Sequence, residues 1–251
     1  MRQDSGNSTA AAPLLTLTRV NAWYAAAHIL HDISLEVGRG EVVALMGRNG
    51  AGKSTTLKAI MGLGPRRDGK IRFMGHALER CAPYQVARLG LGYVPEDRRI
   101  FTELTIRENL MTGRQADRTW PDGQPGLNWT PSDIDELFPN LAGMKERPAG
   151  AISGGEQQML TVARTLMGNP YMLLLDEPSE GVAPVIIEQM VNMILALKAR
   201  GASVLLSEQN IHFARLVADR AYVLEKGAIR YSGSMSDLAD NEQVPQSYLS
   251  L

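Results

Sequence analysis

The run Gly47-Arg48-Asn49-Gly50-Ala51-Gly52-Lys53-Ser54 constrains the fold of this 251-residue chain more than any other feature. It fits G-x-x-x-x-G-K-[ST], with a short apolar stretch, Glu41 to Met46, before it and a helical pattern, Lys53 to Met61, after it. A polyphosphate must be wrapped by backbone N–H groups, and glycines let the chain curl without a Cβ in the way. The following helix points its positive end at the anion. Lys53 adds a full charge, and the Ser54 hydroxyl is the expected Mg²⁺ ligand.

The rest of the chain alternates strand and helix patterns. Leu15 to Val20, Ile33 to Val37, Leu91 to Val94, Tyr171 to Leu175, Val204 to Leu206 and Ala221 to Leu224 read as short strands. Lys226-Gly227 reads as a hairpin turn into Ile229-Arg230-Tyr231. Thr105-Ile106-Arg107-Glu108 and Ser153-Gly154-Gly155-Glu156 are capping boxes that open helices. Met159, Leu160, Ala163, Leu166 and Met167 form the apolar side of the second, and Pro184 opens a further helix that stops at Gly201. Between Gly113 and Asp133 the Gly, Pro, Asp and Trp content predicts a long surface connection. This alternation predicts a mostly parallel sheet covered by helices, with a helical subdomain over roughly 88–166.

Tyr171 to Leu175 delivers Asp176 and Glu177 at a strand's C-terminal end, where open α/β sheets bind ligands. Asp176 there holds Mg²⁺, directly or through water, and Glu177 polarises the attacking water as general base. A phosphate loop with two acids suits a kinase, a GTPase or a helicase equally.

Ile152-Ser153-Gly154-Gly155-Glu156-Gln157-Gln158, shortly before the acidic strand, decides among them. It resembles the signature sequence of ABC-type ATPases, and the order of loop, signature and acidic strand is that family's, over Leu14 to about Ser232. The resemblance implies an α/β P-loop NTPase with a mostly parallel sheet core, an antiparallel β part and the inserted helical subdomain. It implies ATP as substrate, bound by Gly47, Arg48, Asn49, Gly50, Ala51, Gly52, Lys53, Ser54 and Thr55, with Tyr24 stacked on adenine and Trp23 as its rival. Ser153, Gly154, Gly155 and Glu156 then serve the ATP held by the other subunit, so that two subunits sandwich it. Capping by Ser153 is the plain alternative, and the two roles are compatible. Ser179-Glu180-Gly181 resembles the segment that touches the partner subunit.

Two positions depart from the general pattern. Glu96, in Tyr-Val-Pro-Glu, stands where most members have a glutamine at Mg²⁺ and the water; a carboxylate is also a hard oxygen ligand. Gln209, in Leu-Ser-Glu-Gln, stands where most have a histidine near the γ-phosphate; it can donate a hydrogen bond but carries no charge. His212, a helical turn on, reads as an ordinary helix-face residue. With Asp-Glu-Pro-Ser-Glu-Gly and Ser-Glu-Gln-Asn, these runs resemble the LivF-type ATPases of branched-chain amino acid importers, with urea-importer ATPases as the near rival. The implied partners are a second ATPase subunit of LivG type or a second copy of the chain, two integral-membrane permease subunits docking near Glu96 to Leu110, and indirectly a solute-binding protein.

Composition narrows the classes further. The net charge of −1 gives no general electrostatic reason to bind nucleic acid. A single cysteine, Cys81, excludes an internal disulfide and a cysteine zinc cage. No stretch reaches the ~18 apolar residues of a membrane span. Residues 1–12 are rich in Ser, Asn, Gln and Ala and read as a flexible tail, with residues 13–251 as the ATPase domain. The expected place is the cytoplasmic face of the cell membrane, reached through membrane subunits. A soluble ABC-type ATPase acting on DNA or ribosomes would carry a coiled-coil insertion, zinc cysteines, a second cassette or a basic face. A regulatory subunit that does not hydrolyse ATP is opposed by Glu177. Asn128-Trp129-Thr130 reads as a chance sequon, the twelve methionines as core filler, and the pairs Arg66-Arg67 and Arg98-Arg99 as solvated surface.

Overall fold

The computed structural model describes residues 12–240; the tail expected over 1–12 lies outside them except for Ala12, as do the last residues of the 13–251 domain. Strands β1 (Leu15–Tyr24) and β2 (Ala27–Val37) form an antiparallel hairpin, and the chain then crosses to β3 (Val42–Met46) in a second sheet. Helix α1 (Lys53–Met61) follows the phosphate loop and ends at Gly62, as its sequence predicts. β4 (Arg66–Phe73) and β5 (His76–Ala77) return to the first sheet, giving the antiparallel order β2-β1-β4-β5.

Sequence reading passes over β4 because Arg66-Arg67-Asp68-Gly69-Lys70 is almost wholly charged and only Ile71 and Phe73 turn inward. Arg67 is accordingly not the solvated surface residue expected. It is half-buried, and its guanidinium donates to the Ala59 carbonyl and, at 2.5 Å, to the Leu78 carbonyl, joining the last turn of α1 to the small sheet.

Helix α2 (Pro83–Arg88) leads into β6 (Leu91–Val94), at the edge of the second sheet. Helices α3 (Ile106–Gly113), α4 (Pro131–Leu137), α5 (Pro139–Ala142) and α6 (Gly154–Leu166) occupy the chain between β6 and β7 (Met172–Asp176). Helix α7 (Pro184–Ala199), β8 (Ser203–Glu208), α8 (Ile211–Val217), β9 (Arg220–Glu225), β10 (Ala228–Ser234) and α9 (Met235–Asp240) complete it. The second sheet runs β10-β9-β3-β8-β7-β6, parallel except for the β9–β10 hairpin.

The central strands are buried on both faces, and side-chain alternation splits them between two cores. Val42, Ala44, Leu173, Leu175, Val204 and Leu206 pack with α6, α7 and α8. Val43, Leu45, Met172, Leu174 and Leu205 pack with α1 and the small sheet. The 114–130 connection has little regular structure, as predicted, yet it is not purely surface. Trp120 and Trp129 are buried, and Trp120 lies between the Arg39 guanidinium, 3.8 Å from its centroid, and the Tyr171 ring at 4.4 Å.

Candidate functional site

Strands β3, β7 and β8 end side by side, and the site is built on that edge. The loop leaving β3 is tied back by the Gly47 N–H, which donates to the Glu208 carbonyl at 3.2 Å. It enters α1 through Gly52, whose φ of 109° strains any residue with a side chain and whose added Cβ would also press on Leu30 Cδ2 at 2.8 Å. No side chain caps α1 there, which leaves its first N–H groups for a ligand.

A cavity of about 400 Å³ opens over this loop. Asn49, Gly50, Gly52, Lys53, Ser54 and Thr55 of the loop and α1 line it together with Glu96, Glu177 and Glu180. Tyr24 lies at its rim, 40% exposed, whereas the rival Trp23 is stacked on His28 at 4.5 Å and under Arg66. Gly47 and Ala51 are buried beneath the loop, and the Arg48 side chain is exposed.

Lys53 is 3% exposed; its Nζ donates to the carbonyls of Gly47 at 2.6 Å and Arg48 at 3.1 Å and pairs with Glu177 Oε1 at 2.8 Å. Burial pushes the Glu177 carboxyl above the ordinary carboxylate range, and the Lys53 ammonium opposes that shift. Glu177 also has φ 49°, a left-handed conformation that costs a side-chain-bearing residue of order 1–3 kcal/mol. Its N–H is held by Ser207 Oγ at 3.0 Å.

Asp176, 1% exposed, accepts from Tyr93 Oη at 3.0 Å on one oxygen and from Ser207 Oγ at 2.8 Å on the other. Burial and the neighbouring carboxylate push the Tyr93 hydroxyl far above its usual range, which keeps it a donor. A second hollow of about 470 Å³ joins Asp176 and Tyr93 to Glu96 and Tyr24.

The Ser153-Gly154-Gly155-Glu156 turn is not among the residues lining these two hollows. It caps α6: Ser153 Oγ accepts from the Glu156 N–H at 3.3 Å, and Glu156 Oε2 accepts from the Ser153 N–H at 2.7 Å. Gly155 is required for packing, since a Cβ would sit 2.5 Å from Ile186 on α7. Gln209 is exposed one residue beyond β8 and does not line the cavity either. Tyr93, Ser207 and Glu208 were missed from sequence. The available signal was position: each lies in or at the end of a strand, within three residues of a position already singled out, Glu96 or Gln209.

Comparison with known proteins agrees with this geometry. Residues 30–180 match the ABC transporter family model. The chain is 43% identical over 237 residues to the high-affinity branched-chain amino acid transport ATP-binding protein BraG of Pseudomonas aeruginosa, covering 94% of this chain and 99% of the relative. It is 32% identical to the probable branched-chain amino acid transport ATP-binding protein LivF of Archaeoglobus fulgidus, over 92% of this chain and 96% of that one. A solved ATP-binding cassette of an ABC transporter in its ADP conformation superposes with a TM-score of 0.76 at 26% identity, covering 94% and 98% of the two chains. With the phosphate loop, the buried acids and the mixed sheets in their places, the chain belongs to the ATP-binding subunits of ABC transporters, and its activity is the hydrolysis of ATP.

Proposed function

We propose that the chain powers the uptake of branched-chain amino acids through separate membrane subunits. The observation that carries the catalytic reading is the buried Lys53–Glu177 pair facing the cavity across 2.8 Å. A triphosphate entering there offers Lys53 phosphate oxygens in place of the Gly47 and Arg48 carbonyls and the Glu177 carboxylate. Glu177, thus released from its counter-ion and already raised by burial, takes the proton of the attacking water. Asn49 to Thr55 hold the phosphates through backbone N–H groups, and Tyr24 takes the adenine face.

Ser54, Asp176 and Glu96 offer hard oxygens at or beside the cavity, a donor set that suits Mg²⁺ and leaves the remaining positions to phosphate and water. When bound, the ion neutralises charge on the β- and γ-phosphates. The separation of Ser153 to Glu156 from the cavity supports a shared site: a second ATPase subunit, of LivG type or a copy of this chain, presents its signature turn to this chain's ATP. Gln209 reaches the γ-phosphate when the pair is closed.

No helix among the described residues is long and apolar enough to cross a membrane, so the transport path belongs to two permease subunits, with a solute-binding protein beyond them. Phe101 and Met111, both about half exposed, support docking at the Glu96 to Leu110 stretch. The net charge of −1 gives nucleic acid no part in this reading.

The test is purification of the complex from its native membrane, followed by phosphate release and uptake of labelled leucine in vesicles. Lys53→Ala is expected to lower both at least about 100-fold. Wild-type turnover in that variant overturns the phosphate-loop assignment, and uptake of urea without leucine overturns the solute.

A further inference from the structure

Glu208 closes β8 and is 1% exposed, one of the few charged side chains inside this protein. Its Oε1 accepts the Ser179 N–H at 3.0 Å, and its Oε2 accepts the Asn210 N–H at 3.1 Å. Its own carbonyl accepts the Gly47 N–H at 3.2 Å. One residue therefore fastens the phosphate loop, the turn after Glu177 and the turn that carries Gln209.

We propose that Glu208 is a positioning residue that locks the Ser179-Glu180-Gly181 turn and the Gln209-Asn210 turn together, so that Glu177 and Gln209 are set jointly.

The chemistry calls for a carboxyl group. Two backbone donors from separate loops converge on one side chain, and its two oxygens offer an acceptor to each. A glutamine would turn an NH₂ toward one of those N–H groups. An alkyl chain would leave both buried donors unpaired, the costly arrangement for a polar group. The Ser179 N–H lies two residues beyond Glu177, in a segment where Glu177 itself is held in a left-handed conformation. That conformation persists only if its surroundings fix it, and Glu208 supplies the anchor on the C-terminal side. Ser207 supplies the other, through the Glu177 N–H. Burial raises the Glu208 carboxyl to about 7, against the pull of the Ser179 and Asn210 donors, and the charge of Glu177, one residue beyond β7, pushes the same way. A carboxyl kept inside at that cost, with no cation on it, is consistent with a role in geometry.

The catalytic half of this inference rests on the ATPase reading above; the structural half does not, and the experiment separates them. Hydrogen exchange by mass spectrometry is measured on the isolated chain without nucleotide, for peptides covering 177–183, 207–212 and 43–60. In Glu208→Gln and Glu208→Leu the first two are expected to exchange about ten-fold faster or more, with the leucine variant the faster, while 43–60 changes little beyond Gly47. In the assembled transporter Glu208→Gln is expected to lower kcat about ten-fold with KM for ATP within about two-fold, and Glu208→Leu to lower it further. Mg-ATP binding by the isolated variants, followed by calorimetry, stays within about three-fold of wild type. Unchanged exchange at 177–183 overturns the lock. Loosened turns with wild-type kcat overturn the catalytic consequence. A loss confined to KM or to nucleotide binding also overturns it. If the wild-type chain itself binds no Mg-ATP, the ATPase reading fails while the exchange result still stands or falls alone.

Discussion

At the residue scale, the buried charges among the described residues are each met by partners of specific origin. Lys53 balances Glu177, Tyr93 and Ser207 take the two oxygens of Asp176, and two backbone N–H groups take those of Glu208. At Glu208 the donors are backbone N–H groups and no full positive charge stands against it as Lys53 does against Glu177, and burial wins. Its carboxyl titrates near 7 in the folded chain, above the ordinary 4.5. The folded state therefore holds this proton more tightly than the unfolded chain. The stability it contributes is complete below about pH 4.5 and is lost as pH rises through about 7. Glu208→Gln has no such proton, so the excess of wild-type over variant melting temperature should shrink between pH 5.5 and pH 8. Thermal melts at the two pH values check this; a gap that stays the same from pH 5.5 to pH 8 would show that Glu208 is ionised throughout.

At the scale of elements, the two sheets meet at a turn. Lys226 and Gly227 both have positive φ, 48° and 77°, the geometry of a tight hairpin between β9 and β10. The Gly227 carbonyl accepts the His31 N–H of β2 at 2.7 Å, and its N–H donates to the Ala51 carbonyl of the phosphate loop at 2.9 Å. A Cβ at Gly227 would collide with the Ile29 carbonyl oxygen, which is backbone and cannot step aside. Gly227→Ala is thus expected to cost about 2–4 kcal/mol and to lower Tm by roughly 5–10 °C. Calorimetry decides it, and an unchanged Tm would mean that the turn does not bear on the β2 strand in solution. The hairpin was legible in the sequence, because Lys-Gly between two apolar runs is a local signal. Its contact with β2 was not, because nothing local encodes which distant backbone lies beneath a turn.

At the scale of the whole molecule, the phosphate-loop cavity and the Ser153 turn are separate features of one chain, and hydrolysis in the proposed mechanism waits for a second subunit. Glu177→Gln keeps the shape of the side chain but cannot take the water's proton. It also removes the negative partner of Lys53, so ATP should bind at least as well as in wild type. The variant is expected to accumulate as a closed, ATP-loaded pair in the presence of Mg-ATP and its partner ATPase. Light scattering on a size-exclusion column measures the species, and phosphate release measures the chemistry. Undiminished turnover in this variant would remove Glu177 from the role of base.

The sequence by itself determined the strand, phosphate loop and helix of β3 and α1, the capping boxes at Thr105 and Ser153, the buried acidic strand and the family. Each of these is written in contiguous residues, where spacing and side-chain type are enough. Only the tertiary structure decided that charged β4 is a strand, that Arg67 turns inward to the end of α1, and that Trp120 and Trp129 of the 114–130 connection are buried. It alone brought Tyr93 to Asp176 across 83 residues of chain and Glu208 to Ser179 across 29. Hydrophobic periodicity reports which face of an element is buried, but not which polar group is waiting there. That pairing is fixed when the sheet sets its strand order, β3-β8-β7-β6, and places the ends of strands far apart in sequence within hydrogen-bonding reach.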